Sequence, residues 1–157
     1  MQTSSRLSTA THMMILTYTI GDRMKLTSET MAQSIQVNPV MVRRLMSALK
    51  EAGLVTVAAG RGGIRAVRPA EKVTLWDLYA AVEAPAEESL FGFHDCSRSR
   101  CPVAQNMHQV LDKHLDDAQH ALRDSLERVT LAELCRDMVN TCGVQPETLF
   151  AKREKPV

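Results

Sequence analysis

The 157-residue chain carries 19 Lys+Arg and 18 Asp+Glu, and its net charge of +1 conceals a division. Residues 1–70 hold nine basic against three acidic side chains, a surplus of six positive, while residues 71–157 hold ten against fifteen, a surplus of five negative. A composition 45% hydrophobic and 24% charged excludes wholesale disorder, no apolar run approaches the roughly 20 residues of a membrane span, and 4% aromatics are too few for a single-strand stacking platform.

Arg6 to Ile20 is predicted as a first helix, with Leu7, Ala10, Met14 and Tyr18 at helical spacing, ended by Gly21-Asp22. In LTSETMAQSIQVNP, Thr27 or Ser28 can cap a short helix whose Met31, Ala32 and Ile35 share a face. Asn38-Pro39 starts a third helix, PVMVRRLMSALKEAG, predicted to run to Gly53. There Val42, Leu45, Met46 and Leu49 form an apolar stripe, and Arg43, Arg44, Ser47 and Lys50 fall on other faces. LVTVA and IRAV read as strands joined by the turn AGRGG. A helical pair followed by a two-stranded hairpin is the layout of a winged helix–turn–helix.

From Thr74, TLWDLYAAVEA is a further helix, with Leu75, Leu78, Tyr79 and Val82 on one face. Residues 84–100 read as a loop. Cys101-Pro102 opens a long helix to about Arg128, carrying Val103, Met107, Val110, Leu111, Leu115, Ala118, Leu122 and Leu126. That spacing suits packing against a partner helix. Thr130 caps a last helix, LAELCRDMVN, and 143–157 reads as a flexible tail. The expected organisation is a winged helix–turn–helix unit with its packed helix over 1–83, a sensor loop over 84–100, a dimerisation helix and C-terminal helix over 101–142, and the tail. The fold class is mainly α with a small β-hairpin wing.

The second helix of such a motif enters the major groove, where arginine binds guanine bidentately or takes phosphate. Arg43 and Arg44 sit there; by themselves they also fit a solvated face of a core helix. The hairpin tip AGRGGIRAVRP adds Arg61, Arg65 and Arg68 beside glycines that let a backbone come close, as a minor groove or phosphate contact requires. The competing nucleotide loop lacks the P-loop lysine and its Ser/Thr. No nucleophile–base pair, paired carboxylates or closed metal set suggests an enzyme.

The segments LTSETMAQSIQVNPVMVRRLMSALKEAGLV, GRGGIRAVRPAEKVTLWDLYAAVE, CPVAQNMHQVLDKHLDDAQHAL and VTLAEL resemble the Rrf2 family of bacterial winged-helix transcription regulators, IscR-like and NsrR-like, from about Ser4 to Leu134. The resemblance implies a homodimer on a partly palindromic double-stranded DNA operator, usually repressing, with the long helix crossing its twofold mate. It implies DNA contacts from the start of the third helix and from the wing. The candidate DNA-binding set is Ser5, Arg6, Thr27, Ser28, Pro39, Val40, Arg43, Arg44, Ser47, Arg61 and Arg65. Ala59 stands where the family carries an arginine before its first wing glycine, so the basic wing contact is expected to have moved to Arg61.

Cluster-binding relatives carry three cysteines between the packed helix and the long helix; this chain has two, Cys96 and Cys101, in HDCSRSRCPVAQNMH. The position of the family's ligand histidine, three after the last cysteine, is Ala104. An iron–sulfur cluster on Cys96 and Cys101 would need further ligands, such as His94, His108 or a residue of a second chain. No cofactor is therefore expected as the leading case, and the cluster stays an alternative. The other readings are a thiol switch at Cys96 and Cys101, whose arginine neighbours and helix start favour thiolate, and sensing of a small molecule or of nothing. A dimer whose basic wing meets an acidic protein, without DNA, is the alternative from another class. Cys135 is expected in the core, and Cys142 is unplaced. The opening MQTSSRLSTATHMMIL lacks an apolar stretch followed by a cleavage site, and with four cysteines it points to a reducing, cytoplasmic setting without membrane contact.

Overall fold

Eight of the fifteen residues of the first helix, α1 (Arg6–Ile20), are buried, so it runs through the centre of the molecule rather than lying on its surface. Its buried Thr17 hydroxyl donates to the Met13 carbonyl at 2.8 Å, which removes the cost of burying a polar group there. The computed structural model describes residues 4–58, 63–83, 91, 94–95 and 99–142. Arg61 and Ala59 in the wing tip, Cys96 in the expected sensor loop and the expected tail 143–157 lie outside the described residues.

Around α1 are packed α2 (Ser28–Ile35), α3 (Pro39–Glu51), an antiparallel hairpin of β1 (Val55–Ala58) and β2 (Gly63–Ala66), a 3-10 turn (Ala70–Lys72) and α4 (Leu75–Val82); α5 (Pro102–Glu127) and α6 (Leu131–Cys142) follow. Thr27 caps α2 reciprocally: its hydroxyl accepts from the Thr30 backbone N–H while the Thr30 hydroxyl accepts from that of Thr27. Thr74 and Asp77 do the same for α4. The α2–α3 turn passes through Gln36 at φ 62, in the left-handed region.

The hairpin pairs Val55 with Ala66, Thr56 with Arg65, Val57 with Ile64 and Ala58 with Gly63. Val55 and Ile64 point into the core, and the Ile64 N–H donates to the Leu26 carbonyl, seating the wing on the α1–α2 loop. Gly63 is required at that seam: it sits at φ +73, and a Cβ there would lie 3.0 Å from the Leu26 oxygen. The core also takes Met13, Met14, Met31, Val42, Leu49, Leu54, Val73 and Leu78, and from α6 Leu131.

The junction of α5 and α6 is tied to the start of α4. Leu75 N–H donates to the Val129 carbonyl at 3.0 Å, Leu131 N–H donates to that of Val73 at 2.8 Å, and Thr74 pairs with Thr130 in an isolated bridge. The Arg123 guanidinium lies 5.5 Å from the centre of the Trp76 ring, which stacks on Tyr79. None of the 26 residues of α5 is buried.

The expected winged helix–turn–helix is therefore present. Boundaries differ by a residue or two: α3 ends at Glu51, with Gly53 at φ +67 beyond it, and α6 runs on to Cys142. The strands start at Val55 and Gly63, although a Val67-to-Leu54 hydrogen bond continues the ladder outside both.

Candidate nucleic-acid interface

The amphipathicity of α3 fixes which of its side chains face outward. Burying Val42, Leu45, Met46 and Leu49 turns Val40, Arg43, Arg44, Ser47 and Lys50 to the exterior. The Asn38 side chain accepts from the Val40 N–H at 2.8 Å and Pro39 occupies the first helical position, so the start of the helix is capped. Val40 is left 47% exposed at that start.

The arginine pair splits into two environments. Arg43 Nη1 donates to Glu29 Oε1 at 3.1 Å and lies 3.3 Å from the Ser28 hydroxyl oxygen, so it spans from α3 to the first turn of α2. The Glu29 carboxyl is held below its usual range by its own backbone N–H, then by the Ser28 and Thr27 hydroxyls, and also by Arg43. Arg44 makes no ion pair among the described residues and borders a cleft with Arg6, Asn38 and Val40. Arg6 is brought to that cleft from α1, whose start is tied to the end of α4. Glu83 accepts from the Ser4 hydroxyl and from the Leu7 N–H.

The structure brings together Arg6, Val40 and Arg44 around the cleft, and Ser28 with Arg43 beside it; Pro39 and Ser47 belong to the same helix, and Ser5 precedes Arg6. Thr27 has its hydroxyl committed to the cap. Arg65 is not part of this group: it is paired with Asp22 at 2.8 Å on the wing side, where Arg68 approaches Asp77 at 4.0 Å. Sequence reasoning missed Glu29, an acid in the middle of the basic face. Its only signal was its place in a helix first turn, where acids are common for local reasons.

Cys101 is exposed at the N-cap of α5. No backbone N–H forms a full hydrogen bond to its sulfur, yet those of Ala104 and Val103 at the open helix end hold the thiol below its ordinary range. Cys135 is the opposite case: half-buried against the core, it is pushed up to about 11 by burial. The nearby Tyr18, whose hydroxyl donates to the Arg68 carbonyl at 2.7 Å, is pushed to about 12, first by burial and then by Cys135. Cys142 is exposed, its thiol 3.4 Å from the Met138 sulfur. Among the described residues no three His, Cys, Asp or Glu side chains come together as a metal site. Cys96, the other thiol expected of a cluster site, lies outside the described residues, and a cluster is normally held by a full set of cysteines. Among the described residues no helix is long and apolar enough to cross a membrane.

Residues 3–137 match the Rrf2 family, described as an iron-dependent transcriptional regulator. YwnA of Bacillus subtilis, described as an HTH-type transcriptional regulator, is 33% identical over 131 residues, covering 83% of this chain and 95% of its own. A crystal structure described as that of a DNA-binding protein is 31% identical at a TM-score of 0.66, covering 83% of this chain and 98% of that one. IscR of T. potens shares the fold at a TM-score of 0.64 and 17% identity, over 90% of each chain. With its helix–turn–helix, seated wing and outward-facing basic helix, the chain belongs to the Rrf2 family and is a winged-helix DNA-binding transcriptional regulator, not an enzyme.

Proposed function

We propose that two copies of this chain bind a partly palindromic operator and repress transcription, with α3 of each in the major groove. The observation that carries the reading is the outer face of α3, where Val40, Arg43, Arg44 and Ser47 project from a helix whose opposite stripe is buried. Val40 suits a thymine methyl group, and the arginines suit guanine edges or phosphates. Pro39 and Ser47 extend that face, Ser5, Arg6 and Ser28 flank it, Arg65 belongs to the wing side, and Arg61 is assigned to the wing from the sequence alone. The second copy is argued from α5, which leaves Val103 66% and Val110 65% exposed along a face that nothing among the described residues buries. A twofold mate crossing it would remove that apolar surface from water.

The proposed signal is thiol chemistry at Cys101, supported by its exposure and depressed pKa. A peroxide would oxidise the thiolate to a sulfenic acid while itself being reduced to water or an alcohol. The Cys96 thiol would then attack the sulfenic sulfur and expel water as the disulfide forms. The start of α5, and with it the spacing of the two reading helices, would change.

The test is a fluorescence-anisotropy titration against operator DNA selected from a random pool, at several salt concentrations. Operator preference and a steep fall of affinity with salt are expected. A slope near zero with no sequence preference would overturn the reading in favour of a DNA-independent interaction dimer.

A further inference from the structure

The cleft between the starts of α1 and α3 and the end of α4 has a feature that phosphate contact does not need. It encloses about 310 Å³, at the small end of sites that hold compact organic ligands. Arg6 and Arg44 line it and make no ion pair among the described residues, whereas Arg43, Arg65 and Arg68 each face a carboxylate. Among the described residues no acidic side chain lines it, and its floor is apolar, made chiefly by Leu45, Ala48 and Val82. A DNA phosphate would be held by the arginines and leave that floor unused. The complementary molecule has one anionic head for the two arginines and a short apolar body for the floor.

We propose that this cleft is a binding site for an amphipathic monocarboxylate, and that its occupation displaces operator DNA by engaging Arg44 and Arg6. The displacement rests on the proposal that α3 reads DNA; the binding does not. Such a ligand would act directly on the reading surface, independently of the thiols.

Octanoate is a suitable probe, with acetate and octan-1-ol as partners that keep only the head or only the tail. Calorimetric titration into the free protein should show octanoate binding at one site per chain. In anisotropy titrations, saturating octanoate should raise the apparent operator Kd at least tenfold, on the order expected for losing a shared arginine contact. Acetate and octan-1-ol at the same concentration should shift it less than about twofold, since neither supplies both interactions. Ala48→Leu fills the floor with a good helix former; whatever its own operator affinity, octanoate should no longer bind it or shift that affinity. A folded Ala48→Leu protein that responds as the parent does, acetate acting as strongly as octanoate, or no octanoate binding to the free parent protein would each overturn the site. A parent protein that binds octanoate but no DNA would overturn the displacement and the reading of α3 while upholding the cleft; one that binds DNA but not octanoate would overturn the cleft alone.

Discussion

Glu29 on α2 holds the Arg43 guanidinium of α3 at 3.1 Å, so one of the two arginines on the outward face of α3 is charge-paired in the free protein. Both partners are more than half exposed, which makes the pair a positional restraint rather than a source of stability. Glu29→Gln should leave the melting temperature essentially unchanged. It should strengthen binding to non-specific duplex about three- to tenfold and steepen the salt dependence by about one charge, because it frees a cation and removes an anion from the proposed DNA-binding face. Arg43→Ala should weaken operator binding roughly 10- to 100-fold. Anisotropy titrations at several salt concentrations, beside a thermal melt, measure all of these.

Val110→Glu places a charge on the exposed apolar face of α5. The winged-helix unit does not use that face, so the thermal unfolding of the monomer should change little. Sedimentation velocity should show the dimer replaced by monomer. Operator affinity should fall by about 100-fold or more, since joining two half-site contacts is what supplies that gain. A variant that stays dimeric would remove α5 from the interface.

The thiols should separate by pH. Only thiolate reacts with iodoacetamide, and Cys101 lies below its ordinary range while Cys135 is raised to about 11. Labelling of Cys101 should therefore begin at lower pH than for an unperturbed cysteine, and Cys135 should stay unlabelled through pH 8 in the folded protein. Peptide mass spectrometry should give rates at pH 8 differing by more than about tenfold.

Leu131 is the fully buried anchor of α6. Leu131→Ala should cost about 2–5 kcal/mol, read from denaturant unfolding. The loosened α6 should bring the Cys135 pKa down toward its ordinary value, so Cys135 labelling at pH 8 should rise in parallel. A stability loss without that rise would mean that Cys135 is shielded by something other than the packing of α6.

Features set within one turn of chain were legible in the sequence. Asn38-Pro39, Thr27, Thr74 and Thr130 all stand at helix starts, because a cap needs only nearby backbone N–H groups. The stripe of α3 was legible for a similar reason, since one face of a surface helix alternates with the other. The first helix was harder. It shows a one-sided pattern through Leu7, Ala10, Met14 and Tyr18, yet it buries eight residues because α2, α4, α6 and β2 all pack around it. The Glu29–Arg43 pair, the Arg123–Trp76 contact and the Gly63 seam join residues 14, 47 and 37 positions apart, and no periodicity encodes them. The 3-10 turn at Ala70–Lys72 is too short to leave a pattern.

The contact of Arg123 with Trp76 lies near one end of the 26-residue α5, whose other end carries Cys101, about 33 Å away at 1.5 Å per residue. Such an arrangement has mechanical gain. A pivot of about 5° at the aromatic contact swings the thiol end by about 3 Å, close to the rise of one base pair. Under the proposed thiol switch, the stiffness of that contact would set how large a displacement chemistry at the tip becomes, and Trp76 and Arg123 are the residues through which it would be altered.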